Sequence, residues 1–137
     1  MDRRTFLAAS TVSAATLALP AQAEMLDYTD GLVQERLAAG ETLFLDFSAT
    51  WCGTCRAQGR AIQALRDENP AYDGAITFVK VDWDTWRSGM LVAELAIPRR
   101  STLVVLKGEE ELGRIVADTR QGSIKELMDR ALSAATS

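Results

Sequence analysis

Histidine is absent from this chain, and cysteine and proline are scarce, with two and three copies among 137 residues. The lack of histidine excludes the commonest general base, the usual neutral metal ligand and every catalytic triad that depends on imidazole. Long runs of basic or acidic side chains are also missing, and the formal net charge is only -4. Because a nucleic-acid-binding domain usually carries a basic stripe or patch, we expect no nucleic-acid partner.

The rest of the composition is that of an ordinary globular protein. Hydrophobic residues make up 47% of the chain and charged residues 25%, which is typical of a folded domain. This length suits one domain and is too short for two. Such a domain can bury a hydrophobic core without a disulfide to stabilise it.

The first 23 residues have the pattern of an export signal. A charged start, MDRR, precedes a weakly apolar stretch at residues 5–19, and Ala21-Gln22-Ala23 is a small-x-small cleavage sequence. We therefore predict cleavage after Ala23 and a folded domain over residues 24–137. The apolar stretch is shorter than the roughly 20 residues that span a bilayer, so no permanent membrane anchor is expected.

Two export routes are compatible with this signal. Arg3-Arg4 followed by Thr5-Phe6-Leu7 resembles the bacterial twin-arginine signal. The match is partial, because Asp2 stands where serine or threonine is usual and Ala8 where lysine is common. An ordinary secretory signal is the alternative, and either route predicts a periplasmic protein.

Hydrophobic patterns predict an α/β sandwich in residues 24–137. Apolar and β-branched runs predict strands at residues 42–49, 75–81, 102–106 and 112–117. Helical spacing predicts four helices, at residues 32–37, from Cys55 to about Asn69, at residues 85–95, and after Ser123. Helices that alternate with strands, followed by a final hairpin, predict a central mixed sheet flanked by helices.

Turn and capping residues give these helices predicted ends. Asp30 is a candidate N-cap and Gly40 a candidate stop for the first helix. Gly89 weakens the prediction of a single helix at residues 85–95. Ser123 and Glu126 form a capping-box pattern at the start of the last helix.

Both cysteines lie in one short segment, three positions apart, where the first strand meets the second helix. Cys52 is predicted at the helix N-terminus, where free N–H groups and the helix dipole lower the pKa of a thiol. Cys55 lies one turn further, within reach of the first sulfur. This arrangement favours a redox pair in which Cys52 attacks an outside disulfide and Cys55 resolves the mixed disulfide.

Three other interpretations of the pair stay open. A structural disulfide across four residues would close a very small loop and add less than the roughly 3 kcal/mol of a 15-residue loop. A zinc site normally takes four ligands, and this chain supplies two cysteines and no histidine. Two unrelated buried cysteines would not explain the glycine between them or the strand–helix boundary.

Three segments of the sequence resemble the thioredoxin family. LDFSATWCGTC at residues 45–55 is similar to the family's active-site segment, an apolar strand with an aspartate followed by Trp-Cys-Gly-Pro-Cys. VKVD at residues 79–82 and TLVVLKG at residues 102–108 resemble later strands of the fold. The similarity extends over essentially all of residues 24–137.

The resemblance implies a thioredoxin-like fold and thiol–disulfide exchange with disulfide-containing client proteins, without a cofactor or a metal. It implies that Cys52 is the nucleophile, that Cys55 is the resolving thiol, and that Asp46 is a buried proton acceptor. Burial would raise the pKa of Asp46 towards the working pH. The alternative for Asp46 is an exposed carboxylate at a strand end.

The sequence departs from the family pattern at two places. Thr54 replaces the proline between the cysteines, which leaves the reduction potential open. Where the family has a cis-proline before Thr-Leu, the gap-free alignment puts Ser101, and the other register puts Pro98 there. In the first register Arg100 faces Cys52 and stabilises its thiolate; the alternative is a solvated loop arginine. In the family that proline is thought to keep metals off the cysteines, so Ser101 in its place would favour metal binding.

The sequence contains three tryptophans. Trp51 adjoins Cys52, so we expect it to shield the pair and line the substrate groove together with Arg100 and Ser101. Trp83 and Trp86 follow the second strand. They either line the groove or, as we favour, pack in the core.

We therefore predict a periplasmic thiol–disulfide oxidoreductase that reduces protein disulfides. In an oxidising compartment a reductase needs electrons from a partner, most naturally a membrane reductant transporter. The competing class is a thioredoxin-fold binding, chaperone or metal-holding module with little redox turnover.

Overall fold

The computed structural model describes residues 24–137. The predicted export signal and its cleavage after Ala23 lie outside the described residues. Within residues 24–137, none of the helices has the length and apolar character needed to cross a membrane.

The core of the fold is a five-stranded mixed sheet. Its strands are β1 (Leu26–Asp27), β2 (Thr42–Ser48), β3 (Ile76–Asp82), β4 (Thr102–Lys107) and β5 (Glu110–Val116), in the spatial order β1-β3-β2-β4-β5. β3 runs parallel to both β1 and β2, whereas β4 runs antiparallel to β2 and β5. The mixed sheet confirms the predicted fold class.

Helices cover both faces of this sheet. They are α1 (Leu32–Ala38), α2 (Gly53–Glu68), α3 (Ala71–Ala75), α4 (Trp83–Trp86), α5 (Met90–Glu94) and α6 (Gln121–Ala135). One core cluster joins Phe44 to residues of α2, α3 and α6, and the other joins Leu45 and Phe47 to residues of α1 and α5. Because both faces are covered, β2 is apolar along most of its length and buried throughout.

The structure confirms most of the predicted elements. α2 ends at Glu68 with Asn69 as its C-cap, Gly40 follows α1 with a φ of 84°, and Gly108 turns the β4–β5 hairpin with a φ of 59°. Positive φ costs glycine little, which explains why it occupies both turns.

Three local predictions are wrong. The helix expected at residues 85–95 is two short helices, α4 and α5, with Gly89 as the N-cap of the second. The N-cap of α1 is Gly31 and not Asp30. α6 begins at Gln121, so Ser123 lies inside its first turn and does not form a capping box.

Two elements were not predicted from the sequence. β1 has only two residues, too few to show a period. α3 begins directly after Pro70, at a point where the sequence predicted only the end of the preceding helix. Proline is well tolerated at the start of a helix, and here it separates two helices.

Candidate active site

The two cysteines lie where β2 passes into α2. Cys52 is the N-cap of α2 and has extended backbone angles. Its N–H donates to the carbonyl of Ala49 at 3.1 Å, and its sulfur accepts a hydrogen bond from the Cys55 backbone N–H at 3.2 Å. The sulfur therefore takes the place of an N-cap oxygen, where the helix dipole favours negative charge.

Both cysteines are free thiols with little solvent exposure, 3% for Cys52 and 4% for Cys55. Burial raises the pKa of Cys52, but hydrogen bonds from Cys55, Ser101 and Arg100 outweigh it and lower the pKa to about 6. Burial and the bond to Cys52 raise the pKa of Cys55. At neutral pH the pair is therefore one thiolate and one thiol, the state that nucleophilic attack by Cys52 requires.

Ser101 lies directly against both sulfurs. Its hydroxyl oxygen is 3.3 Å from the Cys52 sulfur and 3.0 Å from the Cys55 sulfur. Pro98 is exposed in the preceding loop, so the structure places the gap-free register, and not Pro98, at the pair. Ser101 has a φ of 63°, and no peptide bond of residues 24–137 is cis.

Arg100 and Trp51 form the outer side of the site. The Arg100 guanidinium lies over the Trp51 ring, 4.5 Å from its centroid, and Arg100 is among the groups that lower the pKa of Cys52. Trp51 is 55% exposed, and its indole N–H donates to Asp84 at 2.9 Å. The structure thus brings Arg100 to the nucleophile, with the tryptophan as a half-exposed flank.

Asp46 lies within β2 and is only 4% exposed. Burial raises its pKa to about 7, with Lys80 acting in the opposite direction and Cys52 adding to the rise. Its Oδ1 atom has no hydrogen-bond partner among the described residues. The alternative of an exposed strand-end carboxylate is wrong, and Asp46 titrates in the pH range where proton transfer is needed.

The other two tryptophans have different surroundings. Trp83 packs against Ala49 and the two cysteines. Trp86 packs edge-on to Tyr28, with ring centroids 4.9 Å apart. Both tryptophans are half-buried against the core cluster that contains Leu45 and Phe47, as we favoured, and Trp83 also flanks the site.

Sequence reasoning missed Gln58. This fully buried side chain lies one turn beyond Cys55 on α2. Its amide donates to the carbonyl oxygens of Ser101 at 3.0 Å and Asp118 at 3.1 Å. The available signal was its spacing from Cys55, which places a polar amide on the buried face of the helix.

Metal binding by this site finds little support in its donor set. No group of three or more Cys, Asp or Glu side chains that could hold a metal ion occurs in the described part of the chain. Two thiols and a hydroxyl fall short of the four ligands of a structural zinc site.

The whole domain matches known proteins. A family model described as thioredoxin matches residues 25–130. The chain is 29% identical over 104 residues to thioredoxin from Staphylococcus haemolyticus, covering 76% of this chain and 94% of that protein. It is 32% identical over 100 residues to thioredoxin from Echinococcus granulosus, covering 72% and 87%.

Solved structures agree with these relatives. The crystal structure of Trxlp from Edwardsiella tarda has a TM-score of 0.66 at 24% identity and covers 76% of this chain and 98% of that one. The thioredoxin from Malassezia sympodialis has a TM-score of 0.56 at 26% identity and covers 80% and 99%. This chain therefore belongs to the thioredoxin family and is a thiol–disulfide oxidoreductase with the redox pair Cys52 and Cys55.

Proposed function

We propose that this protein reduces disulfides of client proteins in the periplasm. The observation that carries the reaction is the unequal pair: Cys52 has its pKa lowered to about 6, while that of the adjacent Cys55 is raised. A low-pKa thiol at a helix N-terminus attacks, and a protonated thiol beside it waits to resolve.

In the first step the Cys52 thiolate attacks one sulfur of a client disulfide. A bond forms between Cys52 and that sulfur, and the client's S–S bond breaks. The electron pair of the broken bond leaves on the second client sulfur, which takes a proton from water. Arg100 lies beside the nucleophile, and Trp51 presents an aromatic surface to the client.

In the second step Asp46 accepts the proton of Cys55, and the new thiolate attacks Cys52 in the mixed disulfide. The Cys52–Cys55 disulfide forms and the client leaves as a thiolate, so two electrons have passed to the client. The buried, unpartnered Oδ1 of Asp46 and a pKa of about 7 support its role as the acceptor.

Reduction is the favoured direction because the relatives are thioredoxins and because Asp46 supports resolution. In an oxidising compartment the Cys52–Cys55 disulfide must be reduced again, and a membrane electron donor would supply those two electrons. The export-signal pattern of residues 1–23 supports the periplasmic location.

Insulin reduction tests the reaction. The wild-type protein should catalyse reduction of insulin disulfides by a small dithiol, and Cys52→Ser should abolish that catalysis. Cys55→Ser should instead accumulate a mixed disulfide with insulin. A wild-type protein that binds the client without turnover would support the binding module and contradict the enzyme. The reduction potential of the pair checks the direction, and a value as oxidising as that of strong oxidases contradicts reduction.

A fusion of residues 1–23 to a reporter that is active only outside the cytoplasm tests the location. We expect export of the reporter and its loss when Arg3 and Arg4 are both replaced by lysine. Export that survives this replacement supports the general secretory route, and no export at all contradicts the periplasmic proposal.

A further inference from the structure

One hydroxyl lies between the two sulfurs of this site. The Ser101 oxygen is within hydrogen-bond distance of Cys52 at 3.3 Å and Cys55 at 3.0 Å, and the residue has no solvent exposure. No solvent molecule can therefore take its place without a rearrangement of the loop.

The backbone of Ser101 is held on both sides. Its N–H donates to the carbonyl of Phe47 at 2.8 Å, and its carbonyl accepts from Ala117 N–H at 2.8 Å and from the Gln58 amide at 3.0 Å. These bonds maintain a φ of 63°, a conformation that costs a non-glycine residue about 1–2 kcal/mol. The hydroxyl is thus fixed in position although the local backbone is unfavourable.

A serine hydroxyl has one proton to donate and two lone pairs to accept with. It can therefore donate to only one of the two sulfurs at a time. While Cys52 is a thiolate and Cys55 a thiol, the Ser101 O–H donates to the Cys52 sulfur, which also accepts a hydrogen bond from Cys55. The serine hydroxyl and the second thiol then both stabilise the Cys52 thiolate.

We propose that the Ser101 hydroxyl is a catalytic group that stabilises the two reacting thiolates in turn, first that of Cys52 and then that of Cys55. This inference rests on the proposed two-step reduction. A proline or an alanine at the same position has no donor and cannot serve either sulfur.

The exchange between the two partners needs only rotation about the Cβ–Oγ bond. Once Cys52 is bonded to the client sulfur it carries no charge, so the hydroxyl proton is free to turn. When Asp46 takes the Cys55 proton, the hydroxyl donates to the new Cys55 thiolate. That thiolate attacks Cys52, the client departs with the electron pair, and Ser101 has neither gained nor lost a proton.

The pKa shifts of the pair agree with this geometry. The bond to Ser101 lowers the pKa of Cys52 and also lowers that of Cys55. Arg100, by contrast, contributes to the lowering for Cys52, and the bond between the thiols raises the pKa of Cys55. Ser101 is thus placed to assist both steps.

Two substitutions, Ser101→Ala and Ser101→Gly, test the proposal. Both remove the hydroxyl, but glycine also relaxes the positive φ, so the pair separates the loss of the donor from an effect of backbone strain. Ser48→Ala is the matched control, because Ser48 is a buried serine at the end of β2 whose hydroxyl has no hydrogen-bond partner among the described residues.

Two measurements are made on each folded protein. The ultraviolet absorbance of the thiolate against pH reports the pKa of Cys52. An aromatic disulfide that releases a coloured thiolate reports both steps, because attack by Cys52 releases the first equivalent and resolution by Cys55 releases the second.

Both Ser101 variants should raise the pKa of Cys52 by about one unit, equivalent to about a tenfold change in ionisation, since the lost bond is to a charged group. The second release should slow about tenfold in both, and Ser48→Ala should change neither quantity. The proposal would be overturned by an unchanged pKa of Cys52 or by an unchanged rate of the second release. It would also be overturned if the alanine and glycine variants differed in that pKa or that rate.

The same experiment separates this inference from the proposed function. If the wild-type protein gives no second release, the two-step mechanism itself fails. If the wild-type protein gives both releases and the Ser101 variants match it, only the role of the hydroxyl fails.

Discussion

Two segments meet at the sulfurs, and they are built in opposite ways. Residues 46–55 run from the end of β2 through one short turn into the start of α2. Residues 96–101 form an irregular loop in which two non-glycine residues, Ala96 and Ser101, have positive φ angles of 50° and 63°. The regular segment supplies the nucleophile, whereas the irregular loop supplies the groups that tune it.

The loop keeps its unfavourable conformation because its surroundings hold it. Ile97 is buried, and its N–H donates to the carbonyl of Val92 at 3.0 Å. The Arg114 guanidinium donates to the carbonyls of Leu95 at 2.7 Å and Ala96 at 3.2 Å. Strain that the fold maintains in this way often marks a functional site. We therefore expect the loss of Asp46, Cys52 or Cys55 to impair the reaction, and the loss of Arg100 or Ser101 to shift the pKa of Cys52.

The largest expected effect is on stability and comes from Asp46. Burial raises the pKa of Asp46 from its usual 3.8 to about 7 in the folded protein, so the folded state binds more protons between these values. The contribution of Asp46 to the free energy of unfolding should therefore fall by about 4 kcal/mol as pH rises through that window. Asp46→Asn should remove this fall. Denaturant unfolding at a series of pH values measures it, and parallel profiles for the two proteins would contradict it.

The next effect is on the rate of resolution. Asp46 accepts a proton only when ionised, so the second release from an aromatic disulfide should speed up as pH rises through about 7. Asp46→Asn should slow that release about a hundredfold and abolish the rise. The first release is the internal control and should not slow. A variant that resolves at the wild-type rate at every pH would exclude Asp46 as the acceptor.

A smaller effect is expected in the loop. Arg100→Ala should raise the pKa of Cys52 by about one unit because it removes a positively charged donor group that lowers this pKa. Arg99→Ala is the matched control, because it removes the same charge from the preceding residue. The Arg99 side chain donates to the Arg100 carbonyl at 3.0 Å. Thiolate absorbance against pH measures both, and equal shifts would show that net charge alone matters.

The smallest expected effect is on stability and comes from the positive φ of Ser101. Ser101→Gly should be more stable than Ser101→Ala by about 1 kcal/mol, because only alanine retains the cost of positive φ. Chemical denaturation of the two variants at one pH checks this. Equal stabilities would mean that the loop relaxes to an ordinary conformation once the hydroxyl is gone.

Much of the fold could be predicted from the sequence because its signals are local. The buried run of β2, the β-branched residues of β3 and the glycines at residues 40 and 108 each act within a few residues. The predicted starts of α1 and α6 were wrong because these signals are only local. Asp30 and Ser123 fit an N-cap pattern, but neither residue is the N-cap in the structure. A cap pattern states only a preference, and the observed N-caps are Gly31 and Arg120.

The candidate site divides in the same way. The spacing of Cys52 and Cys55 and their place at a helix N-terminus are local, so the sequence alone determined the redox pair and its order of action. Gln58 was missed because its partners, Ser101 and Asp118, lie 43 and 60 positions along the chain. No local sequence pattern can show a hydrogen bond between residues so far apart along the chain.

By itself, then, the sequence located the cysteine pair and favoured redox exchange, because the strand, the turn and the start of the helix all lie within residues 42–55, about the span that local patterns report. Only the tertiary structure decided what faces the nucleophile. It brought Ser101 to within 3.3 Å of Cys52 across 49 positions and laid Arg100 over Trp51. The physical reason is that pairing of β4 with β2 carries the loop before β4 to the end of β2 where the sulfurs lie.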